Sequence, residues 1–142
     1  MTQLTAGKLA KAAGVNVETL RYYEKRELLT EPARTESGYR IYPESMVERL
    51  QFIKGAQALG FTLEEIGELL NMRVDETVNR WDIRAKAERK IADIDDKIAV
   101  LQSMRTALSG LIAQCHGDGS TSDCPILDGM TEQAQTILMK GE

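Results

Sequence analysis

The sequence predicts a mainly α fold with a compact N-terminal part, one long helix and a short loop-rich C-terminal segment. Three observations indicate it. The first part of the chain holds short amphipathic segments separated by Gly and Pro. Residues 82–114 contain no Pro and only one Gly, Gly110, close to their end. Gly117, Gly119 and Pro125 then follow within a few positions, as in a loop.

Composition indicates a folded protein but not its function. Of the 142 residues, 42% are hydrophobic and 28% are charged, and no apolar run is long enough to span a membrane. The N-terminal residues do not resemble a secretory signal, so we expect a cytoplasmic protein without a membrane partner. Residues 1–60 carry nine basic and seven acidic side chains, and residues 61–142 carry nine and fifteen. This weak separation would not by itself identify a nucleic-acid-binding protein.

Two short helices are predicted at the start of the chain. Thr5 can cap a helix that runs to Ala13, and Gly14 stops it. Asn16 can cap a second helix of about residues 16–27. Two short helices joined through a glycine turn fit a helix-turn-helix.

A small hairpin and two more helices follow. Ser37 and Gly38 lie between β-favouring residues, which predicts a hairpin, or wing, within residues 32–42. A helix of about 44–58 comes next. Thr62 and Glu65 then form a capping-box pattern for a helix to about residue 71.

The long helix carries one apolar stripe. Alternating spacings of three and four connect Ala87, Ile91, Ile94, Ile98, Leu101, Leu108 and Ile112, with Arg105 interrupting the stripe. About 33 residues make a helix of about 50 Å, longer than a small domain is wide. A coiled coil with a second copy would bury the stripe along its whole length. A helix folded back onto its own domain is the alternative.

The chain offers thiols but no catalytic pattern. It has one His, no nucleophile–base motif and no glycine-rich phosphate loop, so we expect it not to be an enzyme. Cys115 and Cys124 are separated by eight residues, and reducing conditions would keep them as thiols. Thiolates prefer soft metal ions. Two unrelated free thiols are the alternative.

Three blocks of sequence resemble the signature of the MerR family of transcription regulators: VETLRYYE at 17–24, RTESGYRIY at 34–42 and LGFTLEEI at 59–66. The similarity continues into CHGDG at 115–119 and DCPIL at 123–127 and so covers nearly the whole chain. It implies a winged helix-turn-helix DNA-binding domain (1–75), a long antiparallel coiled-coil dimerisation helix (76–114) and a short C-terminal metal-binding loop with a tail (115–142). It also implies a homodimer on a dyad-symmetric promoter, which activates by bending and undertwisting the DNA so that RNA polymerase can engage.

The resemblance also implies DNA contacts. Side chains on the second helix and in the wing suit phosphates and base edges. The candidates are Arg21, Tyr22, Lys25, Arg34, Gly38, Tyr39, Arg40 and Lys54. Core packing is the alternative for one of two adjacent tyrosines, and we assign it to Tyr23. Surface charge is the alternative for Arg34 and Lys54.

Cys115 and Cys124 would be the metal ligands by the same resemblance, but the metal stays open. Relatives that sense divalent ions generally add a third cysteine from the partner's long helix. Alignment puts Arg80 there, or Trp81 if it slips by one, and the chain has no third cysteine. Two thiolates on Cu(I), Ag(I) or Au(I) leave one negative charge, which Arg80 of the partner subunit could compensate. Two thiolates on Hg(II) are neutral.

The length of the loop between the two cysteines favours Hg(II) and other heavy-metal ions instead. An eight-residue gap between the cysteines resembles mercury and other heavy-metal sensors, since copper-sensing relatives usually have a loop one residue shorter. We favour the monovalent ions slightly, with Hg(II) next and His116 as a possible supplementary group. A divalent heavy-metal sensor, a thiol-redox sensor and a non-regulatory metal-buffering protein are the alternatives.

Overall fold

The computed structural model describes residues 3–140 and the side chains of residues 3–133, and it confirms the mainly α fold. Within those residues it has six α-helices and three short strands. The helices are α1 (Ala6–Ala13), α2 (Val17–Lys25), α3 (Met46–Ala58), α4 (Leu63–Val74), α5 (Arg80–Gln114) and α6 (Pro125–Lys140). The strands are β1 (Gln3–Thr5), β2 (Ala33–Arg34) and β3 (Arg40–Pro43). The chain divides into two compact units, Met1–Lys90 and Ile91–Glu142.

The helix-turn-helix forms in the first unit with the predicted caps. The Thr5 hydroxyl accepts the Lys8 N–H at 3.3 Å, and the Asn16 side-chain oxygen accepts the Thr19 N–H at 2.8 Å. Gly14 ends α1 in the left-handed region, with φ 72°. Each cap satisfies an N–H that the first helical turn leaves without a partner, which explains why these local signals located both helices.

Helix α2 ends at Lys25, two residues earlier than predicted. The Glu27 N–H donates to the Glu24 carbonyl at 3.0 Å, and the Leu28 N–H donates to the Tyr23 carbonyl at 2.9 Å. These two bonds form a Schellman closure, which requires a left-handed residue, and Glu27 has φ 62°. Glycine is the usual residue there, so its absence hid the true end of the helix.

The wing is part of a three-stranded antiparallel sheet with the order β1-β3-β2. Strands β2 and β3 form the predicted hairpin, in which Arg34 lies opposite Arg40. Strand β1 was not predicted, and Leu4 of β1 lies opposite Tyr42 of β3. Strand β1 has only three residues, and its partner strand lies nearly 40 positions further along the chain, so the local sequence does not indicate a strand.

One core holds the first unit together. Its fully buried side chains are contributed by α1, α2, β3, α3 and α4, namely Leu9, Leu20, Tyr42, Leu50, Ile53 and Ile66. Burial of large apolar side chains contributes about 1.5–3 kcal/mol each. The four helices and the wing are therefore held as one body.

The first unit includes the beginning of α5. Lys90 Nζ lies 2.7 Å from Glu65 Oε1, and Lys86 Nζ lies 2.7 Å from Glu68 Oε2, which ties α5 to α4. Lys90 is only 8% exposed. Because of these contacts, the compact unit extends beyond the predicted DNA-binding segment 1–75. The predicted functional division of the chain into residues 1–75, 76–114 and 115–142 stays a prediction.

The second unit consists of the rest of α5, the cysteine loop and α6. Helix α6 starts at Pro125, where proline is favoured because its missing N–H needs no partner in the first turn. In the sequence, the spacing of Glu132, Gln133, Ile137 and Leu138 predicts only a short helix within residues 128–142, with disorder as the alternative, so α6 begins earlier than predicted. Ile137 and Leu138, assigned to that helix, lie outside the residues whose side chains are described. None of the helices within residues 3–140 is both long and apolar enough to cross a bilayer.

Candidate DNA interface and metal-binding loop

Helix α2 separates its core face from its outer face. Leu20 and Tyr23 are buried, and the Tyr23 hydroxyl donates to Gln57 Oε1 at 2.6 Å. Burial is the main reason why the pKa of Tyr23 is raised. Arg21 and Lys25 are exposed, and Tyr22 is 50% exposed. Tyr23 is therefore a core residue as predicted, and Tyr22 is available to a ligand.

The turn of the wing is held by its own hydrogen bonds. Gly38 has φ 87°, a conformation that glycine adopts without strain. The Thr35 N–H donates to the Tyr39 carbonyl at 2.8 Å, and Arg34 Nη1 donates to the Gly38 carbonyl at 2.8 Å. Tyr39 stands out from this turn with 72% of its surface exposed. The wing thus presents an aromatic hydroxyl on a fixed backbone.

Five of the predicted DNA-binding residues meet in one open cleft of about 500 Å³. The lining from α2 and the wing is Arg21, Arg34, Gly38, Tyr39 and Arg40. Thr5, Ala6 and Gly7, at the N-terminus of α1, complete it. Three guanidinium groups and a helix N-terminus all favour an anion, and a phosphate is the anion that matches the bidentate geometry of arginine.

Glu24 orients one of these arginines, a role that sequence reasoning missed. Its carboxylate lies 3.7 Å from Arg40 Nη2 and accepts a hydrogen bond from the Tyr42 hydroxyl. Burial and the hydrogen bond to the Glu24 carboxylate raise the pKa of Tyr42 to about 12. The available signal was the position of Glu24, one helical turn after Arg21 on α2.

Lys54 has an intramolecular partner. Its ammonium donates to the carbonyls of Ala13 and Gly14, at 3.3 and 3.1 Å, where α1 ends. A cation at the C-terminus of a helix satisfies carbonyls that lack helical partners. The structure places Lys54 and Lys25 outside the lining of the cleft, and their contact with phosphate stays a prediction.

The two cysteines begin and end one loop in the second unit. Cys115 follows the last residue of α5, and its N–H donates to the Ile112 carbonyl at 3.1 Å. Cys124 precedes α6, and its carbonyl accepts the Asp128 N–H at 3.1 Å. Both are free thiols with half-buried side chains. Gly117 and Gly119 adopt left-handed conformations with φ 83° and 105°, which give the loop its bends.

The donors on this loop fit an ion of low coordination number. Within the described part of the chain, no group of three or more His, Cys, Asp or Glu side chains is placed to hold a metal. Tetrahedral zinc would need ligands beyond the two thiols, whereas soft ions such as Cu(I) and Hg(II) accept thiolate ligands readily. His116, the predicted supplement, is exposed.

Helix α6 supplies positive potential next to Cys124. The N–H groups of Ile126 and Leu127 belong to its first turn and have no acceptor within the helix. A helix N-terminus carries about half a positive charge, which stabilises an adjacent anion. The loop therefore combines two soft donors with a source of charge compensation.

Arg80 is the first residue of α5, and its side chain is exposed. Beside it, the guanidinium of Arg84 lies 5.4 Å from the centroid of the Trp81 ring, and Trp81 is 69% exposed. Arg80 belongs to the first unit and the cysteine loop to the second. A role of Arg80 toward the thiols therefore remains a prediction that involves another subunit.

Family models and known proteins are similar to this chain over most of its length. Residues 4–73 match the family model described as MerR HTH family regulatory protein, and residues 47–111 match the model described as MerR, DNA binding. The mercuric resistance operon regulatory protein of Shigella flexneri is 42% identical over 134 residues, which cover 94% of this chain and 92% of that protein.

Two solved structures share the fold. The lead(II) complex of the transcription regulator PbrR691 from Ralstonia metallidurans has a TM-score of 0.80 at 34% identity, covering 89% of this chain and 98% of that one. The mercury(II) complex of the regulator MerR from Bacillus megaterium has a TM-score of 0.68 at 38% identity, covering 89% and 97%.

Proposed function

The chain belongs to the metal-responsive branch of the MerR family of transcription regulators, and we propose that it activates transcription when a soft metal ion binds Cys115 and Cys124. Its relatives are regulators, so it is not an enzyme, and a purely metal-buffering role is set aside. We propose further that it acts in the cytoplasm, where reducing conditions keep both thiols available.

The arrangement of the cysteine loop is the observation that carries the sensing half of the proposal. Two half-buried thiols lie where α5 ends and where α6 begins. A change in the spacing or charge of the two sulfurs therefore acts directly on two helix ends. A ligand can shift a conformational equilibrium only by such a difference in interaction between two states.

Charge favours a monovalent inducer slightly. When bound, a Cu(I), Ag(I) or Au(I) ion would draw both thiolates together and leave one net negative charge. The N-terminus of α6 and Arg80 of the partner subunit would compensate that charge. Hg(II), the next candidate, would form a neutral pair with the thiolates and gain little from either. Hg(II) remains a candidate inducer because the chain is similar to a mercuric resistance operon regulatory protein.

The cleft at the wing supports the proposed promoter binding. Arg21, Arg34 and Arg40 would hold phosphates there, with Tyr39 alongside. Two copies related by a dyad would read two half-sites of a symmetric promoter. The homodimer would then activate by distorting the DNA between the half-sites, so that RNA polymerase engages a promoter it otherwise uses poorly.

Metal titration of the reduced protein tests the choice of inducer. We expect tight binding of Cu(I) or Hg(II), one ion per pair of cysteines, and feeble binding of Zn(II). An Arg80→Cys variant should bind Zn(II) more tightly, since it restores a third thiolate. Strong Zn(II) binding by the unchanged protein would rule out the two-coordinate site.

Thiol-redox sensing is the second candidate, because both cysteines are free and only half buried. Oxidation would join the two sulfurs and release two protons and two electrons to an added oxidant such as peroxide. The two candidates differ in one measurement. A redox sensor responds to peroxide without metal, whereas a metal sensor responds to metal under strong thiol reductant.

A further inference from the structure

The carboxylate of Glu24 lies next to the cleft between α2 and the wing. Its side chain is 11% exposed, and Glu24 Oε2 lies 3.7 Å from Nη2 of Arg40, which lines the cleft. Glu24 also accepts a hydrogen bond from the hydroxyl of Tyr42, a core residue that is only 1% exposed. The core therefore fixes the carboxylate, and the carboxylate in turn restrains one guanidinium of the cleft.

A second arginine of the cleft is also held by the protein. Arg34 Nη1 donates to the Gly38 carbonyl at 2.8 Å, whereas Arg21 has an exposed side chain on α2. A guanidinium that is already held loses less side-chain freedom when it binds a phosphate. It also reaches fewer positions than a free one, so it binds a phosphate well only where the DNA backbone presents one at the right place.

The charge of Glu24 opposes phosphates that arrive elsewhere. A phosphate that binds Arg40 must share the guanidinium with the Glu24 carboxylate, and the two anions repel each other unless the cation lies between them. The positions of the phosphates in a duplex depend on its base sequence, because groove width and bending vary with sequence. A restrained arginine beside a fixed carboxylate therefore converts the shape of the DNA into a difference in affinity.

We propose that Glu24 determines specificity in DNA binding, because it holds Arg40 ready for the phosphates of the promoter and withholds it from those of other DNA. Glu24 acts through Arg40 and is therefore a positioning residue. The inference rests on the promoter binding of the proposed function and adds a residue that helps to distinguish the promoter from other DNA.

A purely structural role of Glu24 is the alternative, since its bond to Tyr42 also joins α2 to β3. Glu24→Gln separates the two roles. The amide oxygen of glutamine can still accept the Tyr42 hydroxyl, so the packing is kept while the negative charge beside Arg40 is removed.

Fluorescence anisotropy with two duplexes of equal length measures the effect. One is a promoter duplex that the unchanged protein selects from random DNA, and the other is the same sequence scrambled. For Glu24→Gln we expect the affinity for the scrambled duplex to rise by about tenfold and the affinity for the promoter to change by less than about threefold. The salt dependence of binding to the scrambled duplex should steepen by about two in a dimer, since each subunit gains one phosphate contact. Damaged packing would instead weaken binding to both duplexes.

Two controls show whether the effect passes through Arg40. In an Arg40→Gln background, Glu24→Gln should change the affinity for the scrambled duplex by less than about twofold, because the restrained guanidinium is absent. Glu76→Gln removes the same charge at an exposed position outside the lining of the cleft and should leave the ratio of the two affinities unchanged.

Tyr42→Phe tests the anchoring of the carboxylate independently of any change at Glu24. It keeps the negative charge but removes the hydroxyl that fixes it. We expect the affinity for the scrambled duplex to rise in the same direction, by about two- to threefold, since one hydrogen bond is lost. A fall in that affinity with promoter binding retained would contradict the proposal.

The remaining outcomes are equally decisive. Equal weakening of both duplexes by Glu24→Gln, or an unchanged affinity ratio, would overturn the proposal. An undiminished effect in the Arg40→Gln background, or an equal effect of Glu76→Gln, would also overturn it. If the unchanged protein selects no duplex that it prefers to the scrambled one, the proposed promoter binding itself fails, which distinguishes the two failures.

Discussion

Gly129 of α6 lies directly against Leu111 of α5. A β-carbon built on Gly129 would be 1.9 Å from Leu111 Cδ2, and Leu111 is buried with 8% of its surface exposed. The two helices on either side of the cysteine loop therefore approach each other at a position that only glycine fills without movement. The loop that carries Cys115 and Cys124 is closed by this contact.

Alanine at this position should loosen the cysteine loop. In Gly129→Ala the Leu111 side chain must move, and overpacking of this kind costs about 1–3 kcal/mol. We expect faster hydrogen exchange at the start of α6 and weaker metal binding, with DNA binding retained. Gly110→Ala is the control, since a β-carbon there meets no atom within 4 Å. Equal exchange rates in the two variants would contradict the packing argument.

The ion pair of Glu65 and Lys90 predicts a pH dependence of stability. Hydrogen bonds from Lys90 and from Thr62 lower the pKa of Glu65 to about 2. The pKa of Glu65 in the folded state is below its unfolded value near 4.5. The stabilisation that the ionised Glu65 gives the fold is therefore complete above pH 4.5 and is lost as the pH falls toward 2. Denaturant unfolding between pH 5 and pH 2 should show a smaller loss of stability in Lys90→Met than in the unchanged protein.

The same substitution should destabilise the protein at pH 7. Glu65 would keep its cap to Thr62 but lose the buried ammonium, and because Glu65 is partly exposed we expect a cost of only about 1–2 kcal/mol. An unchanged free energy of unfolding would mean that the pair holds α5 to α4 without net stabilisation. Lys97→Met, on an exposed part of α5, is the control.

The left-handed residue at the end of α2 can be improved. Glu27 has φ 62°, a conformation that costs a non-glycine residue about 1–2 kcal/mol. Glycine avoids this cost, but the larger entropy of glycine in the unfolded state offsets part of the gain. Glu27→Gly should therefore raise the free energy of unfolding by about 0.5–1 kcal/mol. Glu27→Ala removes the carboxylate but keeps the strain and should bring no such gain. If Glu27→Gly and Glu27→Ala stabilised the protein equally, the gain would come from removal of the carboxylate charge and not from relief of backbone strain.

Salt dependence distinguishes phosphate contacts in the cleft. Each phosphate contact contributes about 0.9 to the slope of the logarithm of affinity against the logarithm of salt concentration. Arg21→Gln should weaken DNA binding and reduce that slope by about two in a dimer, since each subunit loses one contact. Arg89→Gln removes a charge outside the cleft and should change neither quantity. A slope unaltered by Arg21→Gln would remove this residue from the interface.

Local signals accounted for much of the fold, and long-range contacts accounted for what was missed. The caps at Thr5, Asn16 and Thr62 were predictable because each acts within three residues of its own position. Strand β1 was not, because only its pairing with β3 makes it a strand. The bond from Lys54 to the end of α1 joins residues 40 positions apart, so the side chain had seemed free for phosphate.

The functional regions were predictable to different extents. The wing residues were expected to contact DNA, but the cleft they share with the N-terminus of α1 depends on the three-dimensional packing of α1 beside the sheet. The two thiols were evident from the composition. Their position, directly after α5 and directly before α6, could not be predicted without knowing that α6 begins at Pro125. Glu24 was overlooked because its partners lie on β3.

Transcription in a purified system tests the central claim most directly. The template would be a dyad-symmetric promoter selected by the protein itself from random DNA, transcribed by RNA polymerase with the reduced protein and Cu(I) or Hg(II). We predict that metal raises transcript yield with the unchanged protein, and that Cys115→Ser binds the promoter equally well but gives no increase. Induction that persists in Cys115→Ser, or loss of its promoter binding, would contradict separate metal-sensing and DNA-binding sites.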